Sequence, residues 1–254
     1  MAFYTAYRGQ KPLTIEQSVP DSVRAIVETG FGVELWTSDV NYAPFPPGMV
    51  DEICDICQDV TPLTVHTSSL EWHPEAIKTE LKTSAKFGAS LFIVHPNTLG
   101  FEKRDFPPEK SELLDLFGFA ADLGITPALE NSGRTGMKMM RRAFDYVGFD
   151  SGLRVCIDTG HAHRAALWEK IPGDEYLREF RDLIVELHIN DNEGTDDLHL
   201  PPGEGTIEWT AIYAEMRKLR EDVVLCLEIT SLGDPVEALA KASNRILRGL
   251  NLAG

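Results

Sequence analysis

The 254-residue sequence predicts an α/β fold, a (β/α)8 or TIM barrel formed as one domain over residues 1–254. Its length is typical of one such barrel. Short apolar runs alternate eight times with segments of helical periodicity. Polar residues that can bind metals end most of the later runs, and this fold carries its functional residues at the C-terminal strand ends. A doubly wound open sheet is the alternative interpretation of the same alternation.

The predicted strands are short and rich in apolar residues, as expected of parallel strands that are buried on both faces. They are Phe3–Ala6, Val33–Trp36, Leu63–His66, Leu91–His95, Thr126–Glu130, Val155–Asp158, Ile184–Ile189 and Val223–Ile229. Several of the helices between them begin at a proline, which suits a first turn, and three of these are followed by a glycine. These helices are Pro20–Thr29, Pro74–Phe87, Pro108–Leu123 and Pro235–Leu250.

Composition narrows the classes of partner. The net charge of −16 disfavours nucleic acid, because a polyanion would be repelled on average, and it favours a small molecule. The basic stretch nearest the predicted rim (Arg134, Lys138, Arg141 and Arg142) is interpreted as a solvated helix face. No apolar stretch approaches the roughly 20 residues that span a bilayer, so no membrane partner is expected. The N-terminus lacks the basic and apolar regions of a signal peptide, so a cytoplasmic location is expected.

Nine side chains with nitrogen or oxygen donors lie at or just after the ends of strands three to eight. They are His66, His95, Glu130, Asp158, His161, His188, Asp197, His199 and Glu228. Taken singly, a histidine beside a strand is more often a hydrogen-bonded structural residue than a ligand. Taken together, the four carboxylates would repel one another unless cations neutralise them. The sequence therefore predicts a divalent metal site, and its donors suit zinc or manganese.

Inside the predicted barrel, strand alternation places three further residues below these ligands. Cys156 and Cys226 are expected to fill the interior one layer down, and not to bind metal. Glu186 shares the parity of His188 and is expected to point inward, unless a bulge reverses its direction. A buried carboxylate needs a partner, which the sequence does not identify.

The motifs LENS, CIDTGHAH and HINDNEGTDDLHLPPGEGTIEW resemble the xylose-isomerase-like barrel superfamily, and the resemblance spans nearly the whole chain. That superfamily unites sugar isomerases and epimerases with endonuclease IV. In the sugar-isomerase branch the resemblance implies one metal held by residues matching Glu130, Asp158, His188 and Glu228. In the endonuclease branch it implies three zinc ions, with further ligands matching His66, His95, His161, Asp197 and His199. One to three ions per chain are therefore expected.

This sequence departs from the patterns of the two branches at two places, and both bear on the choice between them. The endonucleases have an H-A-P-Y-like stretch after the third-strand histidine, whereas His66 is followed here by Thr67, Ser68 and Ser69. The better-known ketose epimerases have a substrate-binding arginine where this chain has Gly194. The first departure disfavours DNA repair, and the second leaves a specific ketose-epimerase assignment without support.

The resulting hypothesis is a metal-dependent sugar or sugar-phosphate isomerase or epimerase that acts through an enediolate. Glu130 and Glu228 are expected to act as base and acid, and His161, His199 and Trp36 to contact the carbohydrate. The alternative is an endonuclease IV-like trinuclear zinc phosphodiesterase. A ligand-binding barrel without catalysis is a third interpretation, and the intact set of carboxylates argues against it. Exposed barrel helices often pack into dimers, so a homo-oligomer is left open.

Overall fold

A computed structural model describes residues 2–4, 19–38, 44–101, 107–132, 136–229 and 235–252. Eight parallel strands form a closed barrel in chain order. They are β1 (Ala2–Tyr4), β2 (Gly32–Trp36), β3 (Leu63–His66), β4 (Leu91–Val94), β5 (Thr126–Glu130), β6 (Arg154–Asp158), β7 (Ile184–Ile189) and β8 (Val224–Leu227). The barrel closes where β1 pairs with β8 on one side and with β2 on the other. The predicted fold class is confirmed.

Helices follow the strands as predicted, although several boundaries differ. The predicted helix start at Pro108 is wrong, because that helix begins at Lys110 with Glu109 as its N-cap. The described helices are α1 (Val19–Val27), α2 (Pro47–Cys57), α3 (Pro74–Phe87), α4 (Lys110–Asp122), α5 (Gly136–Val147), α6 (Thr159–Glu169), α7 (Gly173–Glu179), α8 (Trp209–Met216) and α9 (Pro235–Gly249). Two of them, α6 and α7, lie between β6 and β7, where strict alternation predicted one. Two predicted strands end earlier, so that His95 and Glu228 are the first residues after β4 and β8. The predicted end of the first strand at Ala6 lies outside the described residues.

Helix α3 shows how local sequence fixes these boundaries. Pro74 occupies its first turn, where the missing N–H needs no partner. The side chain of His73 accepts a hydrogen bond from the backbone N–H of Ala76 and so caps the N-terminus. The helix ends at Gly88, whose φ of 84° is in the left-handed region that glycine adopts without strain. The Pro and Gly signals predicted both ends because each has this local cause.

Apolar packing is divided between the two faces of the barrel wall. Outward-facing strand residues such as Val33 and Leu35 pack with helix residues such as Ile53 in the main apolar cluster. Inside the barrel, a small apolar cluster is formed by Leu91, Ile93, Ala128, Cys156 and Val185. The inward-facing residues nearer the C-terminal strand ends are mostly polar. Among the described residues, no helix has the length and apolar character needed to cross a bilayer.

Candidate metal centre

Four of the predicted ligands come together at the C-terminal ends of the last four strands. Their donor atoms, from Glu130, Asp158, His188 and Glu228, all lie within 4.8 Å of one another. Opposite ligands around one ion with bonds of about 2.2 Å lie about 4.4 Å apart. All four side chains are buried. The spacing therefore suits a single divalent ion with nitrogen and oxygen ligands.

Two orphaned atoms point to the same space. His188 Nδ1 and Glu228 Oε2 form an ion pair 3.3 Å apart, but neither atom has a well-aligned hydrogen bond within the described part of the chain. Leaving a buried polar atom unpaired costs about 1–3 kcal/mol. A cation between them would satisfy both atoms, so the residues present fit a bound metal.

Asp158 is held in place from both sides of its carboxylate. The backbone N–H of His161 donates to Oδ1 at 2.6 Å, which makes Asp158 the N-cap of α6. The amide of Asn190 donates to Oδ2 at 2.8 Å. Asn131 fixes the main chain at this position, because it accepts from the Asp158 N–H at 2.7 Å and donates to the Asp158 carbonyl at 2.9 Å. The carboxylate is thus oriented before any ion binds.

We expect Gly160→Ala to destabilise the fold by about 2–4 kcal/mol, because it overpacks this support. A Cβ at this position would collide with Asn190 Oδ1 and would lie 2.8 Å from Asn192 Nδ2. The variant should also weaken metal binding, since Asn190 holds Asp158. Urea unfolding and calorimetric metal titration measure the two effects.

Gly118→Ala is the matched control for this substitution. Gly118 also lies in a helix, but no heavy atom comes within 4 Å of its Cβ position. The change should stabilise the protein by about 0.5–1 kcal/mol through helix propensity. Equal stability changes in the two variants would contradict the assignment of close packing at Gly160.

Glu130 is shared between the four-residue group and a second compact group. Its Oε2 atom lies 3.0 Å from His66 Nε2 and 3.1 Å from His95 Nε2, and these three residues form a separate set of possible ligands. Its Oε1 atom lies 3.0 Å from His161 Nδ1. One carboxylate therefore contacts three histidines: one in β3, one in α6 and one directly after β4. This is the arrangement of a residue that could bridge two ions.

The remaining predicted ligands, Asp197 and His199, lie on the loop between β7 and α8. Asp197 Oδ2 is 3.1 Å from His161 Nε2 and 3.7 Å from His199 Nε2. Arg164 also approaches this oxygen, at 3.5 Å. His199 is fixed from behind by a 2.9 Å contact between its Nδ1 and the carbonyl of Glu228. All nine predicted ligands thus converge on one rim, with Asp197 and His199 at its outer side.

The electrostatics of the rim favour bound positive charge. Burial, opposed in part by His161, raises the pKa of Asp158 to about 7. Burial would also raise the pKa of Glu130, but the charges of His95 and His188 hold it well below its usual range. Burial lowers the pKa of His199, but the carboxylates of Glu228, Asp197 and Asp158 together outweigh this effect and raise the pKa to about 9. In the metal-free protein, protonated histidines therefore balance carboxylates, and a divalent ion would take over that role.

Sequence reasoning missed Glu34, a buried residue in the middle of β2. Its Oε2 atom lies 3.2 Å from His188 Nε2 and accepts a hydrogen bond from Thr64 at 3.2 Å. The same hydroxyl lies 3.2 Å from Glu186 Oε1, so Thr64 is the polar partner that the sequence did not identify for Glu186. A bulge is present, since the β6–β7 register skips Val185, but Glu186 still points inward. Glu34 could have been found from its position in an otherwise apolar predicted strand, two residues before Trp36 and therefore on the same face of the strand.

Trp36 lies beside the candidate ligands, with most of its surface buried. Its ring stacks on that of His66, with centroids 4.6 Å apart and an interplanar angle of 10°. It also packs against Cys226 inside the barrel. The predicted contact with substrate stays a prediction, and the structure gives the indole a second role as a support for His66.

Asp191 organises the loop that carries Asp197 and His199, and sequence reasoning missed it. Its carboxylate accepts four hydrogen bonds, from the backbone N–H groups of residues 192, 203 and 207 at 2.9, 2.7 and 3.2 Å and from the indole of Trp209 at 2.7 Å. Backbone bonds between Asp191 and Leu200 close the same loop. The side chain is fully buried. Hydrogen bonds to this one carboxylate thus hold the segment in place where the structure describes no helix or strand to do so.

Comparison with known proteins identifies the family of the chain. The family model described as "Xylose isomerase-like TIM barrel" matches residues 23–250. Two uncharacterized proteins of Methanocaldococcus jannaschii, MJ1311 and MJ1614, are 25% and 26% identical over 199 and 163 residues. The matched segments cover 71% and 62% of this chain but only 64% and 62% of those proteins.

Solved structures resemble the chain over nearly its full length. A D-tagatose 3-epimerase-like protein superposes with a TM-score of 0.73 at 19% identity, covering 98% of this chain and 97% of the other. An IOLI protein with a bound zinc atom gives 0.74 at 18% identity, covering 100% and 98%. At such identities the likeness shows the fold alone. The family match over residues 23–250 shows that the chain belongs to the xylose isomerase-like TIM barrel family.

Proposed function

We propose that the chain is a divalent-metal-dependent isomerase or epimerase of a small carbohydrate. The observation that carries the proposal is the group of four ligand atoms within 4.8 Å at the ends of β5 to β8. An enzyme is also the expectation for the family, and the structural neighbours include proteins named as a D-tagatose 3-epimerase-like protein and an L-ribulose 3-epimerase. The donor set of carboxylates and imidazole suits zinc or manganese.

The side chains present can perform proton transfer next to a carbonyl. When bound, the metal would polarise a substrate carbonyl and make the adjacent C–H more acidic. Glu130 and Glu228 would act as a base and acid pair: one removes the proton from that carbon, and the other returns a proton to the enediolate. Each carboxylate has two oxygens, so one can face the ion and the other the substrate. His161 and His199 would orient substrate hydroxyls, and Trp36 would line the pocket.

Isotope exchange tests this reaction without knowledge of the true substrate. We expect protein purified without chelator or metal resin to carry about one ion at the four-residue group. In D2O it should exchange deuterium into the carbon next to the carbonyl of at least one member of a ketose and ketose-phosphate panel. Chelation should abolish the exchange and lower the melting temperature, and added zinc or manganese should restore both. Exchange that persists in fully chelated protein would refute metal dependence.

A phosphodiesterase is the second candidate, and one observation favours it. His66 and His95 both contact Glu130 Oε2, so the rim can offer a second metal position that shares a ligand with the first. The net charge of −16 opposes DNA binding. Of the basic stretch after β5, Arg141 is paired with Glu179 at 2.7 Å, and Arg134 lies outside the described residues. About three zinc ions per chain with cleavage of an abasic duplex would support this candidate over the isomerase.

A further inference from the structure

A second polar group lies directly beneath the four ligands, inside the barrel. It consists of Glu34, Thr64, Glu186 and Cys226, and each of these side chains is fully buried. The proposed chemistry uses none of them. A direct hydrogen bond links the group to the metal centre across the 3.2 Å between Glu34 Oε2 and His188 Nε2.

His188 therefore presents its two ring nitrogens to two different environments. Nδ1 faces Glu228 Oε2 at 3.3 Å and Glu130 Oε2 at 3.6 Å, which are oxygens of two proposed ligands. Nε2 faces Glu34 below. A neutral imidazole carries one proton, and the nitrogen that binds a metal must be the one without it. A carboxylate on Nε2 holds the proton there and leaves the Nδ1 lone pair free for the metal.

We propose that Glu34 is a positioning residue of the metal centre, which fixes the tautomer and the ring orientation of His188 from below; this inference rests on the proposed function. Strands β2 and β7 are not neighbours in the sheet, so the contact crosses the barrel interior. Thr64 supports Glu34 on the adjacent strand by donating to the same oxygen, Oε2. The ligand and its support are thus contributed by opposite parts of the barrel wall.

Glu186 provides the matched comparison. It is also a fully buried glutamate, and its Oε1 atom also lies 3.2 Å from the Thr64 hydroxyl. A hydroxyl donates one proton, so Thr64 can serve Glu34 and Glu186 only in turn. Within the described part of the chain, however, only Glu34 of this pair is hydrogen-bonded to His188. Replacing each of the two carboxyl groups by an amide separates positioning of His188 from a general effect of changing a buried glutamate.

The experiment measures Zn²⁺ affinity of the full metal-free chain by competition with a chromophoric chelator. We expect Glu34→Gln to weaken binding by about 10- to 100-fold, the range usual for partners of metal-bound histidines. Glu186→Gln should change it by less than about twofold. Circular dichroism of each metal-free variant verifies that it is folded. Equal losses in the two variants would overturn the proposal, because both would then reflect the interior as a whole.

Two further readouts keep the proposal testable if a variant does not fold. A long-range ¹H–¹⁵N spectrum of wild-type protein with Zn²⁺ should show His188 protonated at Nε2, and protonation at Nδ1 would overturn the proposal.

The donors of Glu34, Glu186, His188 and Cys226 also lie within 4.8 Å of one another. A thiolate-to-cobalt band in Co²⁺-loaded protein that Cys226→Ser removes would show a metal in this lower group and would also overturn it. Failure of the wild type to bind any metal would instead refute the proposed function, and this inference with it.

Discussion

Replacement of Glu130 by glutamine is expected to lower turnover by at least about 1,000-fold, equivalent to about 4 kcal/mol of transition-state stabilisation. The carboxylate contacts His66, His95 and His161 at 3.0 to 3.1 Å, and it belongs to both compact ligand groups. A neutral amide binds zinc or manganese poorly and accepts no proton from carbon. The loss should appear in kcat and in metal content together, as measured by isotope exchange and elemental analysis.

Glu193→Gln is the control for this change. Glu193 lies in the same rim region, on the loop after β7, but it is exposed, and its replacement should leave activity within about twofold. Glu228→Gln should resemble Glu130→Gln, because both residues are proposed as ligands and as proton carriers. Near wild-type exchange in both the Glu130 and the Glu228 variants would remove the basis for the assigned site.

Asp191→Ala is expected to destabilise the protein by about 3–5 kcal/mol, since four donors lose a buried charged acceptor. The donors include the backbone N–H groups of Gly203 and Ile207 and the indole of Trp209. Loss of this acceptor should also loosen the loop that presents Asp197 and His199. Urea unfolding followed by far-ultraviolet circular dichroism measures the first effect. Amide exchange at residues 203 and 207, slow in wild type and fast in the variant, measures the second.

A neighbouring aspartate tests whether the effect is specific to the hydrogen bonds. Asp196 is on the same loop but exposed, and Asp196→Ala should change stability by less than about 0.5 kcal/mol. If Asp191→Ala were as mild as Asp196→Ala, the loop would be held by something other than these four bonds. The comparison also controls for the change in net charge, which is the same in both variants.

The candidate ligands at the strand ends were predictable because their signal is local. A parallel strand buried on both faces is an apolar run, so a carboxylate at its end, such as Glu130 or Asp158, stands out in the sequence. Barrel topology then brings consecutive strand ends together without further information. Helix boundaries such as Pro74 and Gly88 were predictable for the same reason, since each acts on its own turn.

Features that depend on distant contacts were not predictable in this way. The Glu34–His188 contact joins residues 154 positions apart on strands that do not pair, so neither residue's sequence neighbourhood reveals it. Asp191 accepts from groups 12 to 18 residues downstream, which approach it only after the loop has folded back. Strand alternation predicted the inward direction of Glu186 but not the Thr64 hydroxyl that it meets.

The division of the barrel wall into an apolar outer face and a polar interior bears on how such a protein can diverge. Cohesion comes mainly from outward side chains such as Leu35 and Leu187 packed with the helices, whereas the apolar cluster inside is small. Residues such as Glu34 and Glu186 therefore contribute little to the adhesion of strands to helices. Descendants of this chain could acquire a new reaction by substitutions inside the barrel while inheriting an unchanged outer shell.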